Sequence, residues 1–115
     1  MGKYWNEEIE CMAHEDMKKL QSERLVKQVK HVWDNVPYYK KLMEEKGVTP
    51  DDIHGIEDLH KLPFLSKADL REAYPYGLLA KPLSECVRIH STIGTTGKRV
   101  VAFYTQHDIH LWENC

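Results

Sequence analysis

Apolar residues recur at Met17, Leu20, Leu25, Val29, Val32 and Val36, at spacings of three, four and five, with Glu, Lys and Gln between them. That spacing gathers one apolar stripe on a helix of about five turns. The helix must end near Asn35, because Pro37 drives Val36 out of the α region and has no N–H to donate. Pro37 instead suits the first position of a second helix, where Tyr38, Tyr39, Leu42 and Met43 make the stripe and Gly47 takes the C′ place. Aromatics at that spacing read as core, not as ligands. Thr49-Pro50-Asp51-Asp52 is an N-cap, a first-turn proline and two acids facing the helix dipole, so a short helical turn follows and Gly55 closes it. Ile56-Glu57-Asp58-Leu59 is another turn, ended by Leu62-Pro63. Ser66-Lys67-Ala68-Asp69 resembles a capping box for a helix that Tyr74-Pro75 stops. Leu78-Leu79-Ala80 then crosses an apolar patch.

After Pro82 the period changes to two, with Val87 and Ile89 on one face and Arg88 and His90 on the other. A second β-type run, Val100-Val101-Ala102-Phe103-Tyr104, follows. Thr105 caps a helix that starts at Gln106 and is expected to be still running at Cys115, which would leave Leu111 and Trp112 in need of a partner. There is no internal repeat, low-complexity tract or Gly/Ser linker. The reading is one helical block followed by the edge of a sheet.

With 115 residues the chain has room for one core. At 42% hydrophobic, with three Trp and six Tyr, it is too apolar for disorder. A net charge of -2 provides no field for drawing in nucleic acid, and Lys40-Lys41 and Lys27-x-x-Lys30-His31 read as solvated helix faces. No apolar run is long enough to span a membrane and the first residues lack a signal peptide's apolar segment, which predicts a cytoplasmic protein. Cys11, Cys86 and Cys115 are odd in number and have no CxxC spacing, so reduced thiols are expected. His107 and His110 share a helix face without further ligands nearby, so no metal site is expected.

The candidate chemistry is concentrated in Ser91-Thr92-Ile93-Gly94-Thr95-Thr96-Gly97-Lys98, between the two β-type runs. Two glycines three positions apart let the backbone turn with positive φ and leave its N–H groups uncovered. Hydroxyls and one ammonium surround that turn, and these are the donors that polyphosphate oxygens need. It is not a Walker A loop, which requires four residues between its glycines and Ser or Thr after the Lys, where Arg99 stands here. It resembles the Thr-Ser-Gly-Thr-Thr-Gly-Lys phosphate loop of the adenylate-forming enzymes, the acyl-CoA synthetase and luciferase-like superfamily. Gly94, Thr95, Thr96, Gly97 and Lys98 match position for position, and Ile93 stands where that superfamily has Ser.

The flanks resemble the phenylacetate–CoA ligase family in the same order: Tyr4-Trp5-Asn6, Val36-Pro37-Tyr38-Tyr39, Leu59-His60-Lys61-Leu62-Pro63-Phe64, Lys67-Ala68-Asp69-Leu70-Arg71, Tyr74-Pro75-Tyr76-Gly77-Leu78 and Val87-Arg88-Ile89-His90-Ser91. The resemblance implies an α+β arrangement: a helical block over 1–85, a strand–loop–strand over 86–105 and the start of a helix over 106–115. Together these are the first part of an adenylate-forming α/β core. It implies activation of phenylacetate or a related aryl acid with ATP and Mg2+, then transfer to CoA. It also implies roles in the loop. Thr95, Thr96 and the amides of Gly94 and Gly97 would donate to phosphate oxygens, Lys98 would add charge, and Ser91 and Thr92 would shape the entry. The acid pocket, the adenine and ribose contacts and the lysine-bearing C-terminal domain of that family lie downstream. The chain is therefore expected to be an N-terminal slice that is inactive alone and self-associates. Ile93 is expected to slow adenylation relative to Ser, unless it points into the core and only amides touch phosphate. Two other readings stay open: a small helical interaction module whose Thr/Gly turn is only a hairpin, and a regulatory nucleotide-binding domain.

Overall fold

The computed structural model describes residues 2–93 and 99–115. Helix α1 (Glu7–Glu10) is a single turn started by Asn6, whose side chain accepts from the Ile9 N–H at 3.3 Å. One turn is too short to show a period, and the apolar pattern gives no sign of it. Helix α2 (His14–Asn35) extends beyond the apolar stripe at its start, where Glu15 and Asp16 face the positive end of the helix dipole. It ends where Pro37 requires, with Val36 extended at φ -123°. Helix α3 (Pro37–Lys46) begins on that proline and closes on Gly47 at φ 75°, a left-handed conformation that glycine adopts without a Cβ clash.

These two helices pack on one another around Val29, Met43, Val48 and Ile53, with Leu25, Trp33, Tyr39 and Leu62 against that cluster. Met43 is wholly buried. Two 3₁₀ segments, Pro50–Asp52 and Ile56–Lys61, lie against α2, and the Ile56 N–H donates to Ser22 Oγ of α2 at 3.1 Å. Asp58 holds the second of them closed. Its carboxylate accepts from the His54 N–H at 2.9 Å and pairs with the Lys61 ammonium at 2.9 Å, and these two interactions lower its pKa to about 2.

Helix α4 (Lys67–Glu72) starts on a reciprocal cap: the Asp69 N–H donates to Ser66 Oγ at 3.3 Å, and the Ser66 N–H donates to Asp69 Oδ2 at 2.8 Å. Tyr38 joins α3 to α4 by donating its hydroxyl to Asp69 Oδ1 at 2.9 Å. Desolvation, with the Asp69 and Glu72 carboxylates facing it, pushes the Tyr38 phenol up to about 12. Asp69 moves down, held by the Ser66 N–H and hydroxyl and by Tyr38. Tyr39 donates to Pro63 O at 2.8 Å, so both tyrosines of the apolar stripe act as structural pins. Beyond α4 the chain folds back sharply at Gly77, whose N–H donates to Ala73 O at 2.7 Å. A Cβ on Gly77 would stand 2.5 Å from that same oxygen, so only glycine fits the turn.

A 3₁₀ turn, Leu83–Glu85, leads into strand β1 (Cys86–Ser91), which pairs antiparallel with β2 (Val101–Thr105). Ile89 faces Phe103, His90 faces Ala102 and Ser91 faces Val101. Between Cys86 and Arg88 the register slips by one, leaving Val87 as an extra residue. The bulge corrects the expected regular alternation, in which Val87 and Ile89 share a ladder face. Helix α5 (Gln106–Glu113) follows, with Thr105 Oγ1 accepting from the Asp108 N–H at 3.2 Å. It was expected to continue to Cys115. Instead Asn114 closes it, its side chain donating to His110 O at 2.8 Å.

The Trp112 ring lies 5.7 Å from Tyr104 and 6.0 Å from His90, but it remains 55% exposed, in keeping with the expectation that this face lacks a cover. Leu111 stays half-exposed. Tyr76 stacks on Phe103 at 5.6 Å and joins the helical block to the strands. Every buried hydrophobic residue among those described (Val29, Val36, Met43, Val48, Ile53 and Ala73) precedes β1. No helix is long and apolar enough to cross a membrane among the described residues.

Candidate phosphate-binding loop and its neck

The two strands deliver the candidate loop at one end of the hairpin. Its neck is closed by Thr92 and Val100. The Thr92 N–H donates to Val100 O at 2.9 Å, but the return bond from the Val100 N–H goes to the Thr92 hydroxyl at 3.1 Å. A side-chain oxygen therefore takes the place of a backbone carbonyl, and the second strand begins at Val101, one residue later than the apolar run suggests. The Thr92 carbonyl in turn accepts from the Ser91 hydroxyl at 3.2 Å.

Ser91 and Thr92 thus stand together at the entry to the loop, and Thr92 keeps its own O–H to donate after accepting from Val100. Gly94, Thr95, Thr96, Gly97 and Lys98 lie outside the described residues. Ile93 is 88% exposed, so its side chain is not part of a core here. Arg99, on the far side of the loop, is also exposed. No group of three His, Cys, Asp or Glu that could hold a metal ion is found among the described residues.

A second feature escapes the sequence reading. An open groove runs between α2, the 78–81 segment and the β2–α5 corner, with Leu25, Leu70, Leu79, Phe103 and Leu111 among its apolar walls and Arg24, Lys27 and Lys81 at its edges. Leu78-Leu79-Ala80 marks the wall in the sequence, but Lys27 reads as part of a solvated helix face, and Arg24 and Lys81 carry no signal, until the fold places the strands opposite them.

No protein-family model matches the chain. The chain is 45% identical over 106 residues to the phenylacetate-coenzyme A ligase of Aromatoleum evansii, covering 92% of this chain and 24% of that protein. The phenylacetate-coenzyme A ligase of Pseudomonas putida is 47% identical over the same share of the chain, and that of Thermus thermophilus is 44% identical over 105 residues. The chain therefore spans about a quarter of the length of these relatives. Among solved structures, the backbone matches the N-terminal part of 2-hydroxyisobutyryl-CoA ligase in complex with 2-HIB-AMP and CoA in the thioesterification state. The TM-score is 0.84 at 30% identity, over 93% of this chain and 24% of that one. The postadenylation state with 2-HIB-AMP matches at a TM-score of 0.74 and 27% identity, over 84% of this chain and 21% of that one. By sequence this chain is similar to the phenylacetate–CoA ligases, as a stretch about a quarter as long as they are, and by backbone it is similar to another acid–CoA ligase.

Proposed function

We propose that residues 91–98 are the phosphate loop of an acid–CoA ligase and that the protein to which they belong activates phenylacetate or a similar aryl acid. The observation that carries this reading is the 45% identity to a phenylacetate-coenzyme A ligase over 106 residues. In that reaction the substrate carboxylate attacks the α-phosphorus of MgATP and pyrophosphate leaves. CoA sulfur then attacks the acyl carbon, loses its proton and displaces AMP.

The chain's part is to hold the leaving phosphates as their charge grows. This is positioning by fixed donors rather than covalent work. The amides of Gly94 and Gly97 and the hydroxyls of Thr95 and Thr96 donate to the phosphate oxygens, and Lys98 adds a positive charge. The Thr92–Val100 neck supports this reading because it fixes both ends of the loop on a two-stranded ladder. An aryl acid is favoured over a hydroxy acid because identity to the phenylacetate enzymes exceeds that to 2-hydroxyisobutyryl-CoA ligase. We place the protein in the cytoplasm, treat residues 1–115 as the first part of the adenylation core, and expect this stretch to be inactive alone and to self-associate.

The test replaces the matching segment of the Thermus thermophilus ligase with this chain and measures acid-dependent ATP–pyrophosphate exchange. Exchange should persist in the chimera, stay at background for the 115-residue chain, and fall about 100-fold with Lys98→Ala. Ile93→Ser should raise it by about ten- to a hundred-fold, as one added hydrogen bond to a charged oxygen would. Exchange indifferent to Lys98→Ala would refute the loop's role.

A further inference from the structure

In a regular antiparallel rung two facing residues exchange both of their N–H to carbonyl bonds, so each carbonyl points at the partner strand. Thr92 and Val100 complete only half of such a rung. The Thr92 N–H reaches Val100 O at 2.9 Å, but the Val100 N–H goes to Thr92 Oγ1 at 3.1 Å. The Thr92 carbonyl takes the Ser91 hydroxyl at 3.2 Å instead. Two hydroxyls therefore hold one peptide group out of the ladder. A trans peptide is planar, and its C=O and the following N–H point in opposite directions. In a completed rung the Thr92 carbonyl would face Val100 and the Ile93 N–H would face away from the partner strand. With the carbonyl withdrawn from Val100, that N–H is free to turn toward the mouth of the loop. Ser91, Thr92 and Ile93 are all exposed, so a ligand can reach the mouth. The Ile93 side chain has no donor and is 88% exposed, which leaves the backbone as what this position can offer.

We propose that the Ile93 N–H is a further donor to the phosphate oxygens, and that Ser91 and Thr92 are the positioning residues that aim it. This rests on the reading of residues 91–98 as a phosphate loop. The ligand is the terminal phosphates of a nucleoside triphosphate or the pyrophosphate that leaves it, whose charged oxygens accept from open backbone N–H groups. The two hydroxyls have separate tasks. Thr92 Oγ1 satisfies the Val100 N–H, which would otherwise draw in the carbonyl, and Ser91 Oγ keeps that carbonyl occupied. The amide donor persists whatever side chain stands at 93, so it acts beside the hydroxyl that Ile93→Ser would add and not in its place.

The test reads amide hydrogen exchange at Ile93 in the chimera, by mass spectrometry, with and without sodium pyrophosphate. Pyrophosphate should slow Ile93 about tenfold in the parent chimera and in Thr92→Ser, which keeps the hydroxyl. Thr92→Val, of the same shape but without the oxygen, should lose most of that protection, and Ser91→Ala should lose part of it. In acid-dependent ATP–pyrophosphate exchange, Thr92→Val should raise KM for pyrophosphate about tenfold, the size expected for one hydrogen bond to a charged oxygen, and leave KM for phenylacetate unchanged. A fall in rate with every KM unchanged would reduce Thr92 to a structural part and overturn its positioning role. Protection undiminished in Thr92→Val would overturn the aiming by its hydroxyl. Ile93 indifferent to pyrophosphate, in a chimera whose exchange still depends on Lys98, would overturn the donor and leave the phosphate-loop reading standing. An inactive chimera in which pyrophosphate still protects Ile93 would sink the ligase reading and keep the donor. If the chimera does not fold, the same amide measurement on the 115-residue chain decides the matter, and no response to pyrophosphate there overturns the donor.

Discussion

Two helices in this chain start on the same chemistry yet sit in very different surroundings. At α4 the Ser66 hydroxyl accepts from the Asp69 N–H at 3.3 Å and the Asp69 carboxylate accepts from the Ser66 N–H at 2.8 Å, and at α5 Thr105 and Asp108 do the same at 3.2 and 2.9 Å. The first belongs to a block with a sealed core around Met43 and Ile53, whereas the second belongs to a strand pair in which no described residue is buried. Local capping decides where a helix begins, but only burial decides whether the unit holds itself together. The helical block therefore contains its own stability, and the strand–helix unit borrows much of its own from whatever lies against it.

The sharpest way to break that contrast is a pair of truncations. Met43→Ala should cost about 2–5 kcal/mol in urea denaturation, since a fully buried thioether leaves a cavity. Ile89→Ala, at a 60% exposed position of β1, should stay within about 0.5 kcal/mol. Comparable losses at the two sites would mean that the hairpin has a core of its own. A milder comparison uses the two caps. Ser66→Ala should lower global stability by about 1 kcal/mol. Thr105→Ala should leave the denaturation midpoint nearly unchanged and show itself as faster amide exchange confined to α5.

The smallest effect is an acid dependence that belongs to the block alone. Asp58 is held at about 2, below its ordinary 3.8, so its contribution is complete above the ordinary value and is lost as pH falls toward 2. Thermal midpoints should decline through that window, and Asp58→Asn should flatten the decline. Tyr38 acts in the opposite sense. Its pKa is raised from 10.0 to about 12, so it contributes below pH 10 and its contribution is lost as pH climbs toward 12. A decline that persists unchanged in Asp58→Asn would place the acid sensitivity outside this turn.

The helical half was legible because its signals are local. Pro37 at a helix start, Gly47 at a helix end and the Ser66 box each act within four residues and each was found where the sequence put it, as was the equally local Thr105 cap in the other half. The strand half was legible in type but not in detail. Val87 becomes a bulge, and Val100 surrenders its N–H to the Thr92 hydroxyl, because pairing across a loop is settled by both strands together and neither announces it alone. The groove was hidden for the same reason, since Arg24 and Lys27 acquire meaning only when Phe103 and Leu111 stand opposite them. In the loop, Gly94 to Lys98 are legible as a pattern of donors and lie outside the described residues, whereas the Thr92 hydroxyl bond that closes the neck depends on the fold.

The placement of the tryptophans gives the chain a built-in optical division of labour. Trp33 packs against the helical core with the Lys40 ammonium 5.1 Å from its ring centre, whereas Trp112 lies over Tyr104 and His90 on the hairpin. Trp5 is 77% exposed and contributes a solvent-like background. Emission from Trp33 therefore follows the block and emission from Trp112 follows the strands. Single Trp→Phe replacements would turn one fluorescence titration into two separate records, one for each half of the molecule.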